Sequence, residues 1–426
     1  IWLSNKAAKN QQQIATVIAL AKKYPEVIRA IIVGNEVLLR GDLSVMDLES
    51  AIREVKSQVS QPVTYADVWE FWLRYSDLQN FVDFVTIHIL PYWEDFPLPA
   101  SLAAAHVDDI RKKVAAAIPN QEIMIGEVGW PSEGRMREGA LPSPANQAHV
   151  IEETVALAQR EKFRVNVIEA FNQSWKRQLE GATGGYWGIF DQTTQGPKFS
   201  FDDGVSDHPH WPTQAFAGIL LAALSFAAAA VAGRGKAAPA WLWLRIAAMT
   251  FVPAMLFGWA LERIPIDSFT AGGWLRALAF AATAAAAPII CAAACAAGRR
   301  TPTFATLLSR SDGMSDGLNL ALGLTLIALT LLSVQSALGL VFDPRYRDIP
   351  FGPQSGAALP FLLLMLSTPR PAGTRAMAET VAASVLALSA GYIAFNETFA
   401  NWQAIWLCAG FLGLAVILLR ARDAPG

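Results

Sequence analysis

Cysteine is nearly missing from this chain of 426 residues. The three that occur, Cys291, Cys295 and Cys408, all lie inside apolar runs, so the first 290 residues hold no thiol. A disulfide framework and a thiolate-ligated metal centre are thereby excluded from that stretch. The i,i+4 pair Cys291 and Cys295 reads as small residues packing in a membrane helix rather than as ligands. Neither a phosphate-cradling glycine loop nor a His/Cys ligand cluster is found, which leaves no cofactor and no metal to expect. With a net charge of only −2, no nucleic-acid partner is expected either. The chain opens at Ile1 rather than Met, with no signal-like apolar segment before its first polar residues, and on that ground it reads as a fragment.

Charge is the other scarce quantity, at 16% against 53% hydrophobic residues, and it is unevenly placed. Residues 1–212 carry 20 Lys/Arg and 27 Asp/Glu, whereas residues 213–426 carry 14 and 9. Two solvents are implied, water for the first half and lipid for the second. Apolar stretches recur at Thr213–Ala232, Trp241–Leu261, Trp274–Ala297, Leu318–Phe342, Ala357–Ser367, Thr380–Phe395 and Trp402–Leu419. The fifth is short and contains Pro360, so the expectation is an all-α polytopic membrane domain over 208–426 with six or seven transmembrane helices.

Arginine placement favours seven. Counted that way, alternate linkers carry nine Lys/Arg (Arg234, Lys236, Arg299, Arg300, Arg310, Arg370, Arg375, Arg420, Arg422) and the others three (Arg263, Arg345, Arg347). Cytoplasmic loops are the basic ones. The C-terminus is therefore expected inside and the first half outside.

Over residues 1–207, short β-branched runs alternate with amphipathic stretches, the pattern of an α/β fold with a parallel sheet. Six strands are expected, at Ile1–Ser4, Ile28–Val33, Pro62–Ala66, Phe84–Ile89, Glu122–Gly126 and Val165–Phe171. Two strand ends carry a carboxylate beside glycine: Gly34-Asn35-Glu36 and Gly126-Glu127-Val128-Gly129-Trp130. The C-terminal mouth of a parallel barrel is where catalytic groups sit. Asn35 is placed to hydrogen-bond a substrate next to Glu36. Aromatics suited to sugar faces recur near other strand ends: Tyr65, Tyr92, Trp93, Trp130, Trp175 and Trp187. His88, on the apolar strand Ile87-His88-Ile89, reads equally as an inward-facing group near the cleft or as a satisfied structural histidine.

The segments Val33-Gly-Asn-Glu-Val37 and Gly126-Glu-Val-Gly-Trp-Pro-Ser132 resemble the two signatures of family 17 glycoside hydrolases, the β-1,3-glucanase family, and the resemblance spans essentially all of 1–207. In organisation the chain is similar to the bacterial membrane-bound branch. The resemblance implies a (β/α)8 TIM barrel, here lacking its first two strands. It also implies that Glu36 is the acid/base and Glu127 the nucleophile of a retaining reaction. Gln173 departs from the plant members, which usually have a glutamate there. The function so implied is a glycosidase or transglycosylase acting on β-glucan on the outer (periplasmic) side of the cytoplasmic membrane, with β-glucan, membrane lipid and glucan-synthesis subunits as partners. A different class stays open: a non-catalytic, polymer-binding subunit of a glucan synthesis or export complex.

Overall fold

The computed structural model describes residues 1–201, 203–235, 239–308, 316–368 and 373–423. Lys236, Arg310 and Arg370, three of the linker cations counted above, lie outside the described residues. The chain divides into two compact units. The first comprises Ile1–Ser132, Pro142–Asn172 and Trp187–Val205; the second comprises Glu133–Leu141, Gln173–Tyr186 and Ser206–Gly426.

The first unit runs α1 (Ala7–Lys23), β1 (Ile31–Asn35), α2 (Val45–Lys56), β2 (Val63–Val68), α3 (Trp69–Arg74), β3 (Val85–His88), α4 (Ala100–Ala117), β4 (Ile123–Val128), α5 (Pro144–Glu161) and β5 (Val165–Val167). The helices start where local chemistry allows it. Ser44 caps α2 by accepting from Asp47 N at 3.2 Å, and Ser143 caps α5 from Asn146 N at 3.1 Å with Pro144 at the first turn. The five strands form one parallel sheet in the order β1-β2-β3-β4-β5. Each strand lies beside its sequence neighbour with no reversal, the order of a βα barrel wall rather than of a doubly wound sheet. Val33, Val63, Val85, Ile87 and Ile125 from the strands pack with Leu48, Ile52 and Val55 from α2 in one buried core.

Two of the expected strands differ. Ile1–Ser4 is not a strand, although it lies along β1: the Ile1 ammonium donates to Ile32 O at 2.7 Å and Gly34 N donates to Ile1 O at 3.2 Å. Those two bonds are too few to build a ladder, so among the described residues the sheet has five strands and not six. The last strand keeps regular pairing only to Val167. Beyond it the backbone turns to Trp187–Phe190, with Glu169 N donating to Trp187 O at 3.0 Å and Ile189 N to Glu169 O at 2.9 Å.

The second unit holds α6 (Arg177–Gly184), α7 (Trp211–Ala232), α8 (Ala240–Asp267), α9 (Ala271–Ala297), α10 (Phe304–Leu308), α11 (Gly317–Phe342), α12 (Phe351–Leu366), α13 (Met377–Glu397) and α14 (Trp402–Leu419). Six of these, α7, α8, α9, α11, α13 and α14, are long and apolar enough to cross a membrane. Helix α12 has 16 residues, about 24 Å at 1.5 Å per residue, short of the roughly 30 Å hydrocarbon layer. Small side chains such as Ala284, Ala287, Cys291 and Ala357 let the helices approach closely around Leu322, Phe361, Leu407 and Phe411. Segment 133–141 is bound into this unit: Arg135 pairs with Glu397, both buried, and Asn401 Nδ2 donates to Met136 O at 2.9 Å.

Candidate active site

Three strand ends of the first unit converge, and each carries a break in regular pairing. The register shifts between Ile32 and Asn35, between Ile87 and His88, and between Ile125 and Val128. A bulge inserts a residue on one strand and re-aims the side chain beside it. The shifts fall just before Glu36 and at His88 and Glu127. Glu36 takes a left-handed conformation, φ 51°, two residues after Gly34 at φ 89°. For a non-glycine residue that backbone is strained and persists only where its surroundings over-determine it.

Those surroundings are visible. Glu36 N donates to Ala66 O at 2.8 Å. Below it, Asp67 accepts from Val68 N at 2.8 Å, Leu38 N at 3.3 Å and Leu39 N at 3.4 Å, and from the Tyr65 hydroxyl, which itself accepts from Leu38 N at 3.0 Å. Burial, aided by the charge of Glu36, raises the Asp67 pKa against the lowering effect of its hydrogen bonds; burial and the Asp67 charge push the Tyr65 hydroxyl far above its usual range. This pair pins the turn that follows Glu36. Arg40 closes it from the other side, donating to Asn35 O and, through Nη2, to Leu3 O at 2.8 Å. Asp67 and Arg40 were not singled out from the sequence. The signal for Asp67 was an acid at a strand end, as for the two glutamates.

His88 is the hub. Its Nδ1 lies 3.0 Å from Glu36 Oε1 and 3.8 Å from Glu127 Oε2, and the donor atoms of all three residues lie within 4.8 Å of one another. The ring is almost wholly buried while both carboxylates stay partly open. Burial depresses the His88 pKa, but the hydrogen bond to Glu36 and the charges of Glu127, Glu36 and Asp67 outweigh it, so the net shift is upward. The ring's close approach to β4 requires Gly126, since a Cβ there would stand 3.1 Å from His88 Cδ2 and 2.5 Å from Thr86 Cγ2. Two carboxylates and an imidazole at this spacing are also a donor set that can hold a divalent ion.

The aromatic residues divide. Tyr92, Trp93, Trp130 and Trp187 form one cluster: Tyr92 meets Trp93 edge-on at 4.9 Å and Trp130 at 6.0 Å, and Trp93 stacks on Trp187 at 6.5 Å. Within it only Trp93 is appreciably exposed; Tyr92 and Trp130 are at 0% and Trp187 at 3%. Gln147 anchors the cluster by donating to Trp130 O at 2.8 Å and Trp187 O at 3.3 Å. Tyr65, 1% exposed, is occupied with Asp67 and offers no ring face, because its position in β2 points it into the core. Trp175 belongs to the second unit and is 60% exposed.

Residues 1–188 match the BtgE/BtgC glycoside hydrolase domain. Glucan 1,3-beta-glucosidase BGL2 of Candida albicans is 26% identical over 223 residues, 47% of this chain and 72% of that protein. Residues 1–188 form a glycoside hydrolase domain similar to family 17 enzymes. The probable family 17 glucosidase SCW10 of Saccharomyces cerevisiae is 23% identical to it over 188 residues, 42% of this chain and 48% of that one. Among solved structures, a family 17 beta-1,3-glucanosyltransferase from Rhizomucor miehei resembles the glycosidase domain with a TM-score of 0.40 and 21% identity, covering 46% of this chain and 72% of that one.

Proposed function

We propose that the chain is a membrane-anchored retaining transglycosylase that remodels β-1,3-linked glucan. One observation carries the mechanism: donor oxygens of Glu36 and Glu127 lie within 4.8 Å of each other, with His88 against both. Retaining glycosidases keep their carboxyls about 5–5.5 Å apart, whereas inverting ones leave about 6.5–9.5 Å for a water. The short spacing supports direct attack by Glu127 on the anomeric carbon while Glu36 gives its proton to the leaving oxygen. The glycosyl-enzyme ester is then opened by an incoming hydroxyl, whose proton returns to Glu36. His88 Nδ1, within hydrogen-bond reach of Glu36, holds that carboxyl in line through both steps.

The acceptor decides between hydrolysis and transfer, and Trp93, the partly open member of the aromatic cluster, gives a pyranose ring a face on which to stack. The substrate class rests on the glucan-directed relatives. Placement outside the cytoplasmic membrane rests on the nine-to-three distribution of linker cations, which needs α12 to count as a crossing. The test is product analysis with laminari-oligosaccharides. Products longer than the substrate, with retained β-configuration in the proton spectrum, are expected. Shorter sugars alone would make the enzyme a hydrolase. No turnover by a folded, glucan-binding protein would favour the polymer-binding subunit instead.

A further inference from the structure

Two adjoining cavities open on one rim of the helical unit, where α8 ends, α9 begins, α11 ends and α12 begins. The larger, about 240 Å³, is lined by Arg177, Arg276 and Arg347 and by Asp267, Asp343 and Asp348. The smaller, about 60 Å³, shares Asp267, Arg276, Arg347 and Asp348 with it and continues between Trp259, Ala277 and Phe280. Together they make a charged chamber with an apolar slot behind it. Such a shape fits an amphiphile.

Most of the charged groups are already engaged. Arg263 Nη2 bonds Asp267 at 3.1 Å, Arg347 Nε bonds Asp343 at 3.1 Å, and Arg177 Nη2 donates to Pro265 O at 3.1 Å and Ser268 O at 2.9 Å. Two atoms of the lining are shut off from water with no hydrogen-bond partner, Arg177 Nε and Asp348 Oδ1, and the second is an acceptor. A buried carboxylate oxygen left unmade is costly, which marks it as an acceptor awaiting a donor. Arg276 borders both cavities and, among the described residues, makes no hydrogen bond or ion pair of its own. Arg276, whose charge acts on Asp348, and the unbonded Asp348 oxygen thus stand together where α8 and α11 end and α9 and α12 begin.

We infer that this double cavity binds a phospholipid whose headgroup ends in a primary amine, with the phosphate on Arg276, the ammonium on Asp348 Oδ1 and the glycerol end of the acyl chains entering the slot. Three arginines against three aspartates in the larger cavity suit a zwitterion better than an anionic headgroup. An ammonium supplies N–H donors, which a trimethylammonium lacks. Burial, with the neighbouring Asp267 charge, lifts the Asp348 pKa to about 7, and a bound ammonium would bring it down again. The inference rests on the helical unit being membrane-spanning.

The test is lipid retention by the detergent-purified full chain, read by native mass spectrometry after equal exposure to phosphatidylethanolamine, phosphatidylcholine and phosphatidylglycerol. Retention of phosphatidylethanolamine roughly tenfold above the other two is expected, about the worth of one charge-assisted hydrogen bond. Asp348→Asn should erase that preference, and Arg276→Gln should weaken all three lipids, while Arg300→Gln changes nothing. Equal retention of the ethanolamine and choline lipids by the unaltered protein overturns the proposal without reliance on any variant's folding. So does a preference that survives Asp348→Asn, or a laminari-oligosaccharide that displaces the lipid. A protein that stays in solution without detergent and retains no lipid of any kind would instead overturn the membrane reading itself.

Discussion

Replacing Gly126 by alanine tests whether the close packing of β3 on β4 sets the catalytic geometry. The new methyl would lie 2.5 Å from Thr86 Cγ2, about 0.9 Å inside ordinary contact at 3.4 Å, and 3.1–3.2 Å from the His88 ring. Thr86 is wholly buried, and its hydroxyl lies 3.0 Å from that of Thr64, so it cannot simply rotate away. Overpacking of this kind costs about 1–3 kcal/mol, or about 2–4 °C in Tm per kcal/mol for a unit of this size. Any outward shift of the His88 ring also alters its 3.0 Å contact with Glu36 and its 3.8 Å approach to Glu127. Displacements of less than 1 Å at reacting groups cost about 10- to 100-fold in rate.

The two effects separate in a double variant. Thr86→Ser removes Cγ2 but keeps the hydroxyl bonded to Thr64, so Gly126→Ala with Thr86→Ser should regain about 1 kcal/mol beyond additivity. Its activity should recover only in part, because the contact with the His88 ring remains. The assay pairs thermal inactivation in detergent with kcat/KM on a laminari-oligosaccharide. Strict additivity of the two substitutions in stability would refute the packing argument.

Glu36→Gln and Glu127→Gln should each lower kcat by about 10²–10⁴-fold or more; with an aryl glycoside carrying a strongly acidic phenol, the first step should be spared in Glu36→Gln alone, and equal losses in both variants would exchange or cancel the roles. His88→Phe removes a histidine whose folded pKa is raised above 6.5 by its carboxylate neighbours. Its stabilising contribution is therefore full below pH 6.5 and is lost as pH rises through the folded value. The Tm difference from the unaltered protein should accordingly be larger at pH 5.5 than at pH 8.5, and a difference that grows with pH would contradict this account. Turnover should be unchanged by EDTA; a loss restored by a divalent ion would turn the trio of Glu36, His88 and Glu127 into a metal centre.

What the sequence could reveal depended on whether the physical signal was local. A carboxylate next to glycine at the end of a β-branched run is local, and so Glu36 and Glu127 stand out on inspection. The six long apolar helices are likewise written in runs of hydropathy. The convergence of Glu36, His88 and Glu127 depends on three register shifts, and a one-residue shift exchanges the faces of a strand without changing its composition.

The same ambiguity separates Tyr65 from Trp93. Both are aromatics near strand ends, yet one is bonded to Asp67 in the core and the other is left partly open. The expected strand Pro62–Ala66 stops short of Asp67, while the ladder runs on to Val68. That single residue connects the strained turn at Glu36 to the core: a buried acceptor holding three main-chain N–H groups and one phenol is a reason for φ 51° to persist at Glu36. The turn that carries Glu36 is thus held by a side chain one strand away, an arrangement that exists only once β1 and β2 are paired.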